Sequence, residues 1–400
     1  MRVSFSPSFA RGTVPAPPSK SMAHRALIAA ALAEGESEVF PLALSEDILA
    51  TMDCLSSLGA CFTKDGDRVL VRGMGKNFSQ RGEMNCRESG STLRFLIPLC
   101  LLTGGEYTLF ASRRLLARPL SVYESLCREK GFRFEKKEDS LTLKGKLAPG
   151  EYRVPGNVSS QFITGLLFAL TLLEEDSFLF VTDGMESASY VDMTLRALSS
   201  FGVRLEKRKE GFFIPGGQAY APCQFLVEGD YSNAAFLDAF SLVGGDVAVT
   251  GLREDSPQGD RVYRKLFPAI RESYCEADLS DCPDLAPILI ALAAYFHGGR
   301  FTGTRRLRMK ESDRGEAMAA ELQKCGVSLV IRENEILVPK GRPVPPSDAI
   351  SGHNDHRIVM AMSVLLSRLG GEIEGAEAVK KSFPDFFDLV KKLGIEVKNV

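Results

Sequence analysis

The sequence predicts an α/β (α+β) fold of two similar domains, each made of three repeats of strand, buried helix, strand, amphipathic helix and further strands. Three observations lead there. Apolar helical segments recur six times in the 400 residues, their starts roughly 50 to 70 residues apart. Amphipathic helical segments alternate with them, most ending at a Gly suited to a left-handed cap. Short β-rich runs such as VRLEKR, VSLVIR and IEVKNV usually follow. Six units are too many for one core, so two domains of three units each is the economical division.

In chain order the buried segments are SMAHRALIAAALAEG from Ser21, STLRFLIPLCLLTGG from Ser91, SQFITGLLFALTLLEE from Ser160, SNAAFLDAFSLVGG from Ser232, DLAPILIALAAYFHGG from Asp284 and DHRIVMAMSVLLSRLGG from Asp355. Each opens on a residue able to cap a helix and is apolar on most faces, so each belongs in the interior. The interleaved segments are DILATMDCLSSLG, RPLSVYESLCREKG, YVDMTLRALSSFG, RVYRKLFPAIRES, DRGEAMAAELQKCG and PDFFDLVKKLG. The domain change falls near residues 225–229, after the Gly/Pro-rich stretch PGGQAYAP.

Composition narrows the function. Lys+Arg number 49 against Asp+Glu 51, which gives no global attraction to nucleic acid or an anionic membrane. Any anion site must be a local concentration of cations. Nine cysteines without a CxxC pair read as reduced thiols of a cytoplasmic protein, and four histidines form no metal-ligand spacing. The N-terminal stretch lacks the apolar core of a signal peptide, and apolar runs of about 12 residues fall short of the roughly 20 that span a membrane.

The chemistry-bearing motifs sit at helix starts. In PPSKSMAHR, Ser19 or Ser21 can cap a helix whose mouth carries Lys20 and Arg25; free N–H groups and the dipole complete an anion site. In ESGSTLRF, Gly90 allows close backbone approach, Ser91 or Thr92 offers a cap, and Arg94 is an unusual cation inside an apolar helix. ARP supplies Arg118, and VSSQF supplies Ser159, Ser160 and Gln161 as neutral donors. SASY carries Ser187 and Tyr190. DCPDLAP places Asp284 at the start of an apolar helix, readable as a plain cap or as an acid. RLRMKESDR mixes Arg306, Lys310, Glu311 and Arg314, NDHR carries His356 and Arg357, and KKSFPDFF carries Lys381. Lys20, Arg25, Arg94, Arg118, Lys310, Arg314, Arg357 and Lys381 make eight cations, which suit two phosphorylated carboxylates better than one neutral substrate.

Taken together, GTVPAPPSKSMAHRALIAAALAEG, ESGSTLRF, ARP, VSSQF, EGDYSNAAF, DCPD, RMKESDR, NDHR and KSFPDFF resemble the 5-enolpyruvylshikimate-3-phosphate synthase family, in the family's order and over nearly the whole chain. The resemblance implies two domains of three βαβαββ units around buried helices, with the active site in the interdomain cleft. Residues 19–227 would form the N-terminal domain, mainly binding shikimate 3-phosphate. Residues 1–18 and 228–400 would form the C-terminal domain, mainly binding phosphoenolpyruvate and carrying the catalytic acids.

By motif position, shikimate 3-phosphate would meet Lys20, Ser21, Arg25, Ser159, Ser160, Gln161, Ser187, Tyr190, Asp284 and Lys310. Phosphoenolpyruvate would meet Lys20, Gly90, Arg118, Gln161, Arg314, Arg357 and Lys381, with Arg94 and His356 in support. The chain departs from many relatives at Glu88, Phe95 and Arg306. The implied reaction is addition then elimination, needing an acid–base pair but no metal or organic cofactor. Asp284 would accept the hydroxyl proton, and Glu311, assisted by Lys20, would deliver a proton to the enolpyruvyl carbon. Cations around Glu311 would lower its pKa until bound anions offset them. The implied protein is a cytoplasmic monomer acting on small molecules.

Two rival readings differ in class. An enolpyruvyl transferase acting on UDP-N-acetylglucosamine usually has a Cys in the loop before ARP, where this chain reads SRRLLARP. A non-catalytic anion-binding protein would have no need of both Asp284 and Glu311.

Overall fold

The computed structural model describes all residues, Met1–Val400. It divides into two compact units, Pro18–Glu228 and Met1–Pro17 together with Gly229–Val400.

Three helices that are buried nearly all round form the centre of the Pro18–Glu228 unit: Lys20–Leu32, Gly90–Cys100 and Ser160–Leu170. Their apolar residues on every face leave no side for water, so they pack against one another and against sheets. Each begins at a serine whose hydroxyl accepts a backbone N–H: Ser19 from Met22, Ser89 from Thr92 and Ser159 from Gln161. Such caps satisfy otherwise orphaned donors and contribute about 1 kcal/mol each. In ESGST the cap is therefore Ser89, not Ser91 or Thr92. Ser89 is extended (φ −76°, ψ 102°), whereas Gly90 is already the first helical residue.

Around these helices lie three four-stranded sheets of one design: a parallel pair extended by two antiparallel strands. Arg81–Asn85 runs parallel to Glu106–Phe110 through the crossover helix Gly90–Cys100, and Ser140–Lys144 and Arg133–Lys136 extend the sheet. Glu151–Pro155 and Ser177–Thr182 do the same around Ser160–Leu170. The remaining sheet takes its first strand from the far end of the unit: Gln224–Leu226 pairs in parallel with Glu36–Phe40. Amphipathic helices Glu46–Leu58, Ser121–Lys130 and Ala188–Ser200 cover the assembly. The second of them ends at Gly131 with φ 70°, a left-handed cap favourable only to glycine.

The other unit repeats the plan around Tyr231–Leu242, Ala286–Tyr295 and His356–Leu369. Two of its sheets have four strands, and one of these joins the chain ends: Arg2–Phe5 lies between Gly371–Glu374 and Val397–Asn399. The third has only two strands, Arg11–Pro15 parallel to Asp246–Thr250. The expected sixfold repeat is thus five complete units and one short one. Helix Tyr263–Glu272 runs almost directly into strand Cys275–Asp278, leaving no residues for a hairpin. No helix is long and apolar enough to cross a membrane.

Candidate functional site

Four of the eight cations gather in each unit. In Pro18–Glu228, Lys20 opens its helix and its Nζ lies 2.7 Å from Asp47 Oδ2. Arg25, one turn further on, is buried. Its Nε donates to Thr194 Oγ1 at 2.8 Å, Nη1 to the Ser21 carbonyl at 2.7 Å and Nη2 to the Tyr190 carbonyl at 2.8 Å, while the guanidinium faces the Phe95 ring. Burial lowers the Arg25 pKa to about 10, which leaves it charged at neutral pH.

Arg94 donates from Nη1 to Gln161 Oε1 at 2.8 Å and from Nη2 to the Pro119 carbonyl at 3.2 Å. The Gln161 amide in turn donates to Ser91 Oγ at 3.0 Å. A Cβ on Gly90 would come within 3.0 Å of Arg94 Nη1 and 3.1 Å of Arg118 Nη1. A side chain at Gly90 would thus press on two guanidinium groups. These contacts bring Gly90, Ser91, Arg94, Arg118 and Gln161 to one helix mouth. Ser159 caps and Ser160 opens the neighbouring helix. Ser187 precedes the Ala188–Ser200 helix with φ 56°.

In the other unit Lys310, Arg314 and Arg357 meet at Asp284, and Glu311 joins them through Arg314. Asp284 lies in a 3₁₀ turn, Pro283–Leu285, and its side chain caps no helix. Its Oδ1 accepts from Arg314 Nη1 at 2.7 Å and lies 3.2 Å from Lys310 Nζ; its Oδ2 accepts from Arg357 Nη2 at 3.0 Å. A carboxylate gripped by three cations is far better satisfied than one bonded to a single backbone N–H, which is why the cap reading fails. Arg314 also donates to Glu311 Oε2 at 2.8 Å and to Asp355 Oδ2 at 2.9 Å. Lys381 donates to the Asn354 carbonyl at 2.7 Å. Arg306 is buried and donates to the Ser280 carbonyl. His356 is buried at the start of its helix beside Asp355.

The electrostatics follow from this packing. Burial alone would raise the Asp284 pKa, but Arg357, Lys310 and Arg314 together hold it well below the usual carboxylate range. Burial lowers the Lys310 ammonium, an effect Asp284 partly offsets. The guanidinium of Arg314, although buried, is held charged by Asp355, Glu311 and Asp284. Three acids thus neutralise three cations, and an incoming phosphate or carboxylate can take over the same donors from them.

Some members of the site carry little sequence signal. Asp355 is the cap of His356–Leu369 and the counter-ion of Arg314. Asp47 pairs with Lys20 from a distant helix. Ser232 accepts from Arg357. Asp260 is buried in the 3₁₀ turn Gly259–Val262; desolvation, then the charge of Asp284, push its pKa up to about 7. Only the NDHR motif could have pointed to Asp355. Nothing local distinguishes Asp260 from an ordinary surface acid.

Comparison with known proteins shows the family and the fold. Residues 6–390 match the family model described as EPSP synthase (3-phosphoshikimate 1-carboxyvinyltransferase). A 3-phosphoshikimate 1-carboxyvinyltransferase of Clostridium kluyveri is 39% identical over 417 residues, covering 99% of this chain and 98% of the relative. The protein of the same name from Clostridium beijerinckii is 38% identical over 413 residues, covering 96% and 95%. A solved structure of EPSP synthase from Acinetobacter baumannii superposes with TM-score 0.77 at 23% identity, covering all of both chains, and so shares the fold.

Proposed function

The chain belongs to the EPSP synthase (3-phosphoshikimate 1-carboxyvinyltransferase) family, and from that premise we propose how its residues divide the work. The enzyme transfers the enolpyruvyl group of phosphoenolpyruvate to the 5-hydroxyl of shikimate 3-phosphate and releases phosphate, by addition then elimination through a tetrahedral intermediate. It serves the shikimate route to chorismate and the aromatic amino acids. The UDP-N-acetylglucosamine reading and the non-catalytic reading are not favoured by the family match or the relatives.

The observation that carries the assignment is Asp284, bound at once by Lys310, Arg314 and Arg357, with Glu311 on the same Arg314. Shikimate 3-phosphate takes its phosphate contacts from Ser159, Ser160 and Gln161, with Lys20, Ser21, Arg25, Ser187, Tyr190, Asp284 and Lys310 completing its set. Phosphoenolpyruvate takes Lys20, Gly90, Arg118, Gln161, Arg314, Arg357 and Lys381. Arg94 and His356 hold neighbours in place.

Bound anions draw the cations away from Asp284 and Glu311. Asp284 then regains the basicity needed to accept the hydroxyl proton, and Glu311 can hold the proton it delivers to the methylene carbon, with Lys20 assisting. The same reading makes the enzyme a cytoplasmic monomer acting on small molecules. Phosphate release from phosphoenolpyruvate should depend on added shikimate 3-phosphate; release that is independent of it, or driven instead by UDP-N-acetylglucosamine, defeats the assignment.

A further inference from the structure

We infer that Glu321, outside the set assigned to ligands, is a positioning residue for Lys381 and Arg357. The inference rests on the reading above that those two cations hold phosphoenolpyruvate. Glu321 sits two turns beyond Arg314 on the helix Arg314–Lys324, and its side chain is only 2% exposed. One carboxylate oxygen meets His353 Nε2 at 2.7 Å. The other accepts from Lys324 Nζ at 2.7 Å and from the Ser351 backbone N–H at 2.9 Å.

What Glu321 holds is a strained piece of chain. His353 and Asn354 are consecutive non-glycine residues in the left-handed region, with φ 48° and 54°. Such residues persist only where their surroundings over-determine them. That turn aims the Asn354 carbonyl at Lys381 Nζ, 2.7 Å away. The next residue, Asp355, caps the helix bearing Arg357, accepts the Arg357 N–H at 3.0 Å and binds Arg314. One helix therefore grips residues 351–355 at both ends: Glu321 at Ser351 and His353, Arg314 at Asp355. Loosening the Glu321 end frees the left-handed pair, moves the Asn354 carbonyl and lets the Lys381 ammonium leave its place.

The test is steady-state kinetics on Glu321→Gln and, separately, His353→Ala; the His353 side chain is 31% exposed, so its removal opens no large buried cavity. Each variant should raise the KM for phosphoenolpyruvate about tenfold, keep kcat within roughly threefold and leave the KM for shikimate 3-phosphate unchanged. The double variant should be no worse than the poorer single one, since both break one clamp. Equal rises in both KM values, or a collapse of kcat, would mean a merely structural role and overturn the inference. Lys381→Met separates the two levels. If it leaves phosphoenolpyruvate binding unchanged, the cation assignment fails. If it weakens that binding while Glu321→Gln and His353→Ala do not, the positioning role alone fails. Should Glu321→Gln not fold, His353→Ala decides.

Discussion

Asp260→Asn should make the ligand-free protein more stable at pH 8 than the parent, by an amount that shrinks as the pH falls. Asp260 is buried, and desolvation, the Asp284 charge and Asp230 all oppose its ionisation, while Arg357 and Ser232 favour it only in part. Its pKa rises from 3.8 to about 7. A carboxyl group raised in the folded state binds more protons there than in the unfolded chain, so stability is lost as pH climbs from the unfolded value to the folded one. Each tenfold difference in proton affinity between the two states is worth about 1.4 kcal/mol, and roughly two such factors come into play between pH 5 and pH 8. Asn has no such titration. The stability difference between variant and parent should therefore move by about 2 to 3 kcal/mol in favour of the variant over that range. Urea titrations followed by far-ultraviolet circular dichroism at both pH values give the number. A difference that is the same at pH 5 and pH 8 would refute the argument that desolvation governs this carboxyl.

Other outcomes follow from the same packing. Asp284→Asn and Glu311→Gln should each lower kcat by about 10² to 10⁴ with smaller changes in KM, read by phosphate release. Gly90→Ala should raise the KM for phosphoenolpyruvate about tenfold, ~1.4 kcal/mol, because its Cβ displaces the Arg118 guanidinium 3.1 Å away; an unchanged KM would mean Arg118 does not bind that ligand. Asp284, Asp355 and Glu321 are all held below their ordinary values, so their contribution is present above about pH 4 and lost as pH falls through their folded values. Thermal melts at pH 7, 5 and 3 should show that loss. His24 is depressed by burial, then by Lys20 and Arg25, so the Pro18–Glu228 unit should start to lose stability as pH falls below about 6.5. His24→Gln should flatten that upper part of the profile.

The buried helices are legible in the sequence because their signal is local. The seven residues from Ala26 to Leu32 carry no polar side chain, and such a run belongs in the interior. The clustering of Lys310, Glu311 and Arg314 is legible for the same reason, as one charged run. Features that depend on distant partners are not. A lone Asp before an apolar helix reads equally as a cap or as an acid, and only the convergence of Lys310, Arg314 and Arg357 distinguishes the two at Asp284. In ESGST three hydroxyls compete for one cap, and backbone conformation, not residue type, selects Ser89. The one short unit, the fourth in chain order, is hidden because RVYRKLFPAIRES followed by a strand looks like the others; the missing hairpin shows only when strands are paired. The parallel match of Arg11–Pro15 with Asp246–Thr250 spans more than half the chain and leaves no trace in any local window.

That long-range pairing bears on how the protein is born. On the ribosome, Pro18–Glu228 can complete all three of its sheets as soon as Gln224–Leu226 emerges. The strands that precede this unit in the chain must wait longer. Arg11–Pro15 has no partner until Asp246–Thr250 appears, and Arg2–Phe5 none until Gly371–Glu374 and Val397–Asn399 leave the exit tunnel. Arg2–Phe5 therefore stays unpaired longer than Arg11–Pro15, and its sheet is completed only when Val397–Asn399 has been made.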